Sequence, residues 1–204
     1  MKNLMVFIDN SYLVHETKRC GMKLYHKKLV SFLAKEAFIP YDLARAIVYC
    51  SIDPSAPEAH VRAHQSLYDT INQFPNFEVK RFNLKLIYGD KGQVEKKVEK
   101  GVDVALATDL VKYAHLNSFD VAILCTGDVD FVPAIEHVKN LGKEVFIASF
   151  VESSSRRLID ASLGWVSLTK NVAYLGEPNT QYCSNLYTKE LERVPPAAVA
   201  IGGE

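Results

Sequence analysis

The sequence lacks the features that define several common classes of protein. Its four cysteines, Cys20, Cys50, Cys125 and Cys183, are far apart and form no CxxC pair. This spacing argues against a zinc clip and against the disulfide framework of small secreted domains. No run approaches the roughly 18 apolar residues of a membrane span, and Asp9 interrupts the first apolar run before a signal peptide could form. We therefore expect a cytoplasmic protein without a membrane segment.

The chain also has no excess of charge of either sign. Its 24 Lys and Arg residues balance 24 Asp and Glu residues, which excludes a polycationic arm as the main device for binding nucleic acid. The local distribution is uneven, because residues 18–35 contain six basic residues and no acid. These are Lys18, Arg19, Lys23, Lys27, Lys28 and Lys35. A second group, Lys91, Lys96, Lys97 and Lys100, is interspersed with acids.

Short apolar runs alternate with segments of helical periodicity. This alternation predicts a three-layer α/β/α sandwich around a mainly parallel sheet. The lysines and glycines of 83–101 predict a long loop with a short hairpin. We expect a domain over 1–170, followed by a partly irregular extension over 171–204. The predicted strands are 4–8, 46–50, 77–82, 121–125, 145–150 and, more weakly, 165–168, and the predicted helices are 11–19, 27–38, 57–73, 102–116, 130–140 and 153–162.

Aspartates stand where two of these strands end and where one helix begins. Asp9 ends the first strand, Asp128 and Asp130 follow the fourth, and Asp103 opens the helix before the fourth. Open α/β sheets build their sites at the carboxyl ends of parallel strands. Helix capping explains one acid per helix, but it does not explain why these three places are acidic together.

Clustered carboxylates repel one another unless a cation lies among them. Oxygen ligands without cysteine or convergent histidine favour Mg²⁺ or Mn²⁺ over zinc. Mg²⁺ usually binds one or two carboxylates together with substrate phosphates. The pattern therefore indicates a substrate that carries phosphate.

Three elements in this order resemble the NYN domain family, the LabA-like branch of the PIN-like nucleases. They are Asp9 at the end of the first strand, Lys100-Gly-Val-Asp103 with Asp109 following, and Thr126-Gly-Asp-Val-Asp-Phe131. The resemblance covers about residues 3–169. It implies a PIN-like sheet of strand order 3-2-1-4-5 and a metal-dependent ribonuclease that uses Mg²⁺ or Mn²⁺. Its implied catalytic and metal-binding residues are Asp9, Asp103, Asp128 and Asp130.

Further residues are expected to support this site. Asn10, Ser11, Asp109 and Thr126 are candidates for a second ring around the acids, with helix capping as the alternative role of the two hydroxyls. RNA, expected to be single-stranded, is the implied partner, and a homodimer is left open. The candidate nucleic-acid contacts are Lys96, Lys97, Lys100, Arg156 and Arg157.

One position departs from the family pattern, because Tyr12 stands where the family usually has Asn. This departure favours an alternative function, a catalytically weak or inactive RNA-binding scaffold with the same fold. The four retained acids oppose that alternative. Two other acidic α/β enzymes fit less well, since a Toprim enzyme has Glu at the place of Asp9 and a haloacid-type phosphatase has Asp-x-Asp there.

Overall fold

A six-stranded parallel sheet lies at the centre of the computed structural model, which describes residues 1–35 and 41–178. Its strand order is β4-β3-β1-β7-β8-β9, and every pairing within it is parallel. Two small antiparallel pairs, β2 with β10 and β5 with β6, lie outside it. The strands are β1 (Asn3–Asp9), β2 (Met22–Leu24), β3 (Asp42–Ile52), β4 (Phe77–Asn83), β5 (Lys85–Tyr88), β6 (Val94–Val98), β7 (Val121–Cys125), β8 (Glu144–Ser149), β9 (Gly164–Ser167) and β10 (Gly176–Pro178).

Helices cover both faces of the sheet. Helices α1, α2 and α3 pack on one face, and α4, α5 and α6 on the other. Short 3-10 turns at Val129–Phe131 and Val151–Ser153 precede α5 and α6. The helices are α1 (Asn10–Arg19), α2 (His26–Lys35), α3 (Glu58–Asn72), α4 (Val102–His115), α5 (Val132–Asn140) and α6 (Arg156–Ala161).

The alternation of side chains along β1 divides the core into two parts. Leu4, Val6 and Ile8 join the cluster under α1–α3, whereas Met5 and Phe7 join the cluster under α4–α6. All five are buried. A strand with both faces covered must be apolar at every position, and this explains why β1 and β7 read as continuous apolar runs.

The predicted fold class, a three-layer α/β/α sandwich with a parallel sheet, is confirmed. The predicted order 3-2-1-4-5 corresponds to β4-β3-β1-β7-β8, and it differs from the structure in detail because β9 extends the sheet beyond β8. The hairpin predicted within 83–101 is present as β5 and β6. Residues 36–38 of the predicted helix 27–38 lie outside the described residues, as does 179–204 of the predicted extension.

Two short strands were absent from the sequence prediction. β10 pairs with β2, and the 3-10 turn at Val172–Tyr174 precedes it. The side chains of Val172 and Leu175 are buried in the cluster under α1–α3. The first residues after 170 thus pack against the domain, whose predicted boundary at 170 stays a prediction. Among the described residues, no helix is long and apolar enough to cross a membrane.

Replacing Leu175 with alanine should test whether this segment belongs to the core. Leu175 is 0% exposed, so Leu175→Ala should lower the free energy of unfolding by about 2–5 kcal/mol. Leu163→Ala is the matched control, because Leu163 is 58% exposed and its truncation should change stability by less than about 0.5 kcal/mol. Urea denaturation of the full chain measures both. Equal losses in the two variants would show that the segment adds nothing to the core.

Candidate active site

Asp9 lies at the carboxyl end of β1 and caps α1. Its carboxylate accepts a hydrogen bond of 3.0 Å from the backbone N–H of Tyr12. Ile8 pairs with Cys125, the last residue of β7. The parallel register therefore brings Asp9 and Thr126 out of the sheet side by side, as the sequence predicted for neighbouring strand ends.

The segment after β7 holds its acids through its own hydrogen bonds. The buried hydroxyl of Thr126 accepts from the backbone N–H of Asp128 at 3.2 Å, and the carboxylate of Asp128 accepts from the N–H of Asp130 at 2.9 Å. Asp128 thereby caps the 3-10 turn that leads into α5. Thr126 thus holds the backbone of Asp128, and its supporting role in a catalytic site stays a prediction.

Asp103 reaches the same edge from the first turn of α4. The residue before this helix, Gly101, has a φ of 93°, a conformation that glycine adopts at little cost. Of the helix's residues, Val102 and Leu106 are buried in the core while Asp103 is exposed. The Lys100-Gly-Val-Asp motif therefore turns the chain into α4 and leaves its acid on the sheet edge.

Electrostatic repulsion connects the acids of these separate elements. Burial raises the pKa of Asp9 to about 6, repulsion from Glu99 and Asp103 adds to this, and the hydrogen bond from Tyr12 opposes it. The pKa of Asp103 is also raised, first by burial and then by the charges of Asp128, Glu99 and Asp130. The four predicted acids and Glu99 therefore share one electrostatic environment.

Glu99 was not among the acids predicted from the sequence. It precedes α4, and one of its carboxylate oxygens, Oε1, accepts hydrogen bonds from Ser11 at 3.0 Å and from Ser51 at 2.8 Å. These bonds tie the segment after β6 to α1 and to β3. The only signal in the sequence was its place directly before the Lys-Gly-Val-Asp motif, where it reads as one acid in a lysine-rich loop.

The other three predicted supporting residues, Asp109, Asn10 and Ser11, each contact a different part of the domain. Asp109 is buried about two turns into α4. Its carboxylate accepts a hydrogen bond from the Tyr49 hydroxyl at 2.7 Å and pairs with Lys80 at 2.5 Å. It fastens α4 to β3 and β4. Asn10 is buried, and its side-chain oxygen accepts from Nε2 of His26 at 2.7 Å. The hydroxyl of Ser11 donates its hydrogen bond to Glu99.

Tyr12, which departs from the family pattern, joins α1 to the end of β8. Its hydroxyl accepts from the backbone N–H of Phe150 at 2.9 Å and lies 3.0 Å from the Ser153 hydroxyl. Gly127 is packed against Tyr12 and Ser153. An added Cβ would lie 2.2 Å from the Ser153 carbonyl oxygen and 3.0 Å from the Tyr12 ring. The close approach of Ser153 and Tyr12 therefore requires glycine at 127.

The predicted nucleic-acid contacts lie on two sides of the acids. Lys96 and Lys97 belong to β6, and Lys97 forms an ion pair of 2.6 Å with Asp53 just beyond β3. Arg156 and Arg157 begin α6 after β8, and Arg156 pairs with Asp160 at 2.9 Å. Lys100 lies between β6 and α4. No contact with RNA tests these five assignments, which stay predictions.

We call the carboxyl edge of the sheet that carries Asp9, Glu99, Asp103, Asp128 and Asp130 the acidic edge. Its chemistry fits a hard divalent cation. Carboxylates that repel one another are stabilised by a bound cation, and oxygen donors favour Mg²⁺ or Mn²⁺. Within residues 1–35 and 41–178, however, no three His, Cys, Asp or Glu side chains come together closely enough to form a complete metal cage. An ion that keeps several waters needs only one or two of them, so the donor set suits magnesium better than a fully protein-ligated metal.

The parallel sheet, with acids at the carboxyl ends of β1 and β7, is the architecture of a PIN-like domain. The chain belongs to the NYN domain family, whose model matches residues 3–168. No curated protein sequence matches the chain significantly.

Among solved structures, the chain is similar to a crystal structure of a protein of unknown function from Vibrio parahaemolyticus. The two share 20% sequence identity with a TM-score of 0.57, over 82% of this chain and 93% of the other. At this identity the likeness shows the fold alone, and it agrees with the α/β architecture described above.

Replacing Asp9 with asparagine should reveal the cost of burying its charge. Because the pKa of Asp9 is near 6 in the folded protein and 3.8 in a free side chain, wild-type stability should fall relative to Asp9→Asn as pH rises from about 4 to about 6. Below this window both side chains are neutral, and above it the difference is constant. Asparagine also caps helices well.

Urea denaturation in EDTA at several pH values measures this difference. Asp42→Asn is the matched control, because Asp42 is exposed at the start of β3, at the opposite edge of the sheet. Its curve should follow that of the wild type. A constant difference between wild type and Asp9→Asn from pH 4 to pH 7 would contradict the raised pKa of Asp9.

Proposed function

We propose that this protein is a metal-dependent ribonuclease that hydrolyses phosphodiester bonds of RNA. Asp9, Asp103, Asp128 and Asp130 are its catalytic and metal-binding residues in this proposal. The observation that carries it is that acids from β1, the start of α4 and the segment after β7 lie at one carboxyl edge of the sheet, where burial and the charges of Asp128, Glu99 and Asp130 raise the pKa of Asp103. Such an arrangement costs stability, and a bound cation would remove the cost. The family is one of nucleases, and the order of the acids along this chain matches its motifs.

Mg²⁺ or Mn²⁺ is the cofactor in this proposal. When bound, such an ion lowers the pKa of a coordinated water and withdraws charge from a phosphate oxygen. The protein's own residues hold the ligands in place. Thr126 fixes the backbone of Asp128, Asp128 in turn binds the N–H of Asp130, and the Tyr12 N–H orients the carboxylate of Asp9. Glu99, held by two serine hydroxyls, is a fifth acid available to the ion or to its waters.

Single-stranded RNA is the proposed substrate, and its phosphates would cross the acidic edge between two basic groups. Lys96 and Lys97 lie on β6, where Lys97 pairs with Asp53 just beyond β3, Lys100 follows β6, and Arg156 and Arg157 begin α6 after β8. The ion pair of Arg156 with Asp160 is solvent-exposed on both sides, and exposed pairs contribute little stability. A phosphate can therefore replace Asp160 as the partner of Arg156 at small cost, whereas Asp53, the partner of Lys97, is half-buried.

A second candidate function is an RNA-binding scaffold with little or no catalytic activity. Two observations favour it. Tyr12, which stands where the family usually has Asn, uses its hydroxyl to join α1 to the end of β8. Among the described residues, no three His, Cys, Asp or Glu side chains are close enough to bind one metal ion together. Cleavage of single-stranded RNA in Mn²⁺ distinguishes the two. Binding without cleavage at any metal concentration would favour the scaffold.

Asp128→Asn should separate metal binding from folding. Mn²⁺ should raise the melting temperature of the wild type, as any ligand that prefers the native state does. The variant keeps a side-chain oxygen that can cap the 3-10 turn but loses a charge. Its melting temperature should therefore rise less with Mn²⁺, and its RNA cleavage should fall at least about a hundredfold.

Calorimetry with a Mn²⁺ titration measures the first effect, and a gel assay with labelled RNA measures the second. Asp42→Asn serves again as the matched control, since the same loss of charge at the far edge should leave both readouts at wild-type values. An equal response to Mn²⁺ in Asp128→Asn and wild type would count against Asp128 as a metal ligand.

Glu99→Gln should show whether the fifth acid contributes to the site. The amide oxygen can still accept from Ser11 and Ser51, so the fold should be retained while one charge near Asp9 and Asp103 is lost. We expect cleavage to fall about 10- to 100-fold at limiting Mn²⁺ and to recover in part at high Mn²⁺. Glu95→Gln, on the exposed face of β6, is the control. If Glu99→Gln has wild-type activity at limiting Mn²⁺, Glu99 serves only to attach the segment after the β5–β6 hairpin to Ser11 and Ser51.

A further inference from the structure

A large cavity lies on the face of the sheet covered by α1, α2 and α3, and Asn10, the residue after Asp9, is part of its lining. Its volume is about 770 Å³, within the range of roughly 300–1,000 Å³ typical of pockets that bind small ligands. Its walls are mainly apolar and aromatic, and they come from α1, β2 and α3. The wall residues that matter here are Val14, Met22, Leu24, Leu67, Ile71 and Phe74.

Three polar side chains in the lining of the cavity contact one another, with Asn10 between His26 and Tyr68. All three are buried. Burial lowers the pKa of His26 to about 4, so the ring is neutral and donates through Nε2 to Asn10. Asn10 directly follows Asp9, so this part of the lining is joined to the carboxyl end of β1.

Basic side chains surround the cavity. Lys18, Lys23, Lys27 and Lys28 line it, and no Asp or Glu does. Lys28 pairs with Glu177, whereas Lys18 and Lys27 form no ion pair with any described carboxylate. The ammonium group of Lys27 lies 5.5 Å from the centre of the Phe74 ring. An occupant with an aromatic, apolar body and a negative charge therefore matches the cavity.

We propose that this cavity binds one unpaired nucleotide of the RNA strand whose phosphates cross the acidic edge. The base enters between the walls of α1 and α3, and its phosphates lie against Lys18 and Lys27. Aromatic walls stack on bases regardless of sequence, and Leu67, 50% exposed on α3, becomes covered when the base is bound. This assignment rests on the proposed function, because the nucleotide in the cavity belongs to the same RNA strand that the acidic edge is proposed to cleave.

Leu67→Glu tests the proposal by placing a negative charge at the cavity wall. Fluorescence anisotropy in EDTA, where cleavage is stopped, gives the affinity for a labelled single-stranded RNA of twelve nucleotides. We expect Leu67→Glu to bind about tenfold more weakly, as for the loss of one stacked base. Leu116→Glu is the matched control, because Leu116 is 63% exposed at the end of α4, on the other face. It should bind as the wild type does.

A second series uses RNAs in which a single abasic nucleotide occupies each position in turn. At one position, loss of the base should weaken binding to the wild type about tenfold and have little further effect on Leu67→Glu, which is the coupling expected of two groups in contact. Affinity losses that are the same in both proteins at every position would overturn the proposal. Displacement of RNA by adenosine monophosphate without such a position would also overturn it, in favour of a site for free nucleotides.

The cleavage assay separates this proposal from the proposed function. Position-dependent coupling in a wild type that never cleaves RNA with Mn²⁺ would support the cavity assignment and refute the ribonuclease. Cleavage by the wild type without coupling would refute the cavity assignment and leave the ribonuclease standing. Failure of the wild type to bind the RNA at all would overturn the cavity assignment, whatever the cleavage assay shows.

Discussion

The parallel pairing of β1 with β7 is the constraint on which the acidic edge depends. With Ile8 opposite Cys125, the chain leaves both strands at the same level, and Asp9 and the Thr126–Asp130 segment emerge together. A shift of this register by one residue would turn the side chains of β1 to the opposite faces, whose packing they do not fit, and would draw Asn3 or Asp9 into the sheet. The apolar cores on both faces therefore fix the register, and through it the position of the acids. The repulsion among these acids is the cost of that arrangement.

Much of this architecture could be predicted from the sequence, because its signals are local. Continuous apolar runs mark β1, β3, β7 and β8 as strands covered on both faces, and their alternation with helical periods implies parallel connections. β2 and β10 escaped prediction because each has three residues and neither has a pattern of its own. They exist through their pairing with each other and through the burial of Val172 and Leu175 nearby.

The site shows the same division between local and long-range information. Asp9, Asp103 and the acids after β7 stand at element ends, so the sequence could indicate them. The contacts of Glu99 and Tyr12 span 48–88 and 138–141 positions of the chain respectively, and no local pattern encodes a pairing across such distances. Asp109 shared the family motif with the acids of the edge, yet its partners Tyr49 and Lys80 on β3 and β4 give it a supporting role.

The end of β7 also bears on which cations this edge admits. Cys125 lies beside Asp9, and burial, together with the charge of Asp9, raises the pKa of its thiol well above the usual value. The sulfur is also fully buried in the core under α1–α3, so it does not reach the surface at which the carboxylates stand. The end of β7 therefore presents carboxylate oxygens to an arriving ion and keeps its sulfur out of reach. Oxygen donors of this kind favour hard ions over soft ones.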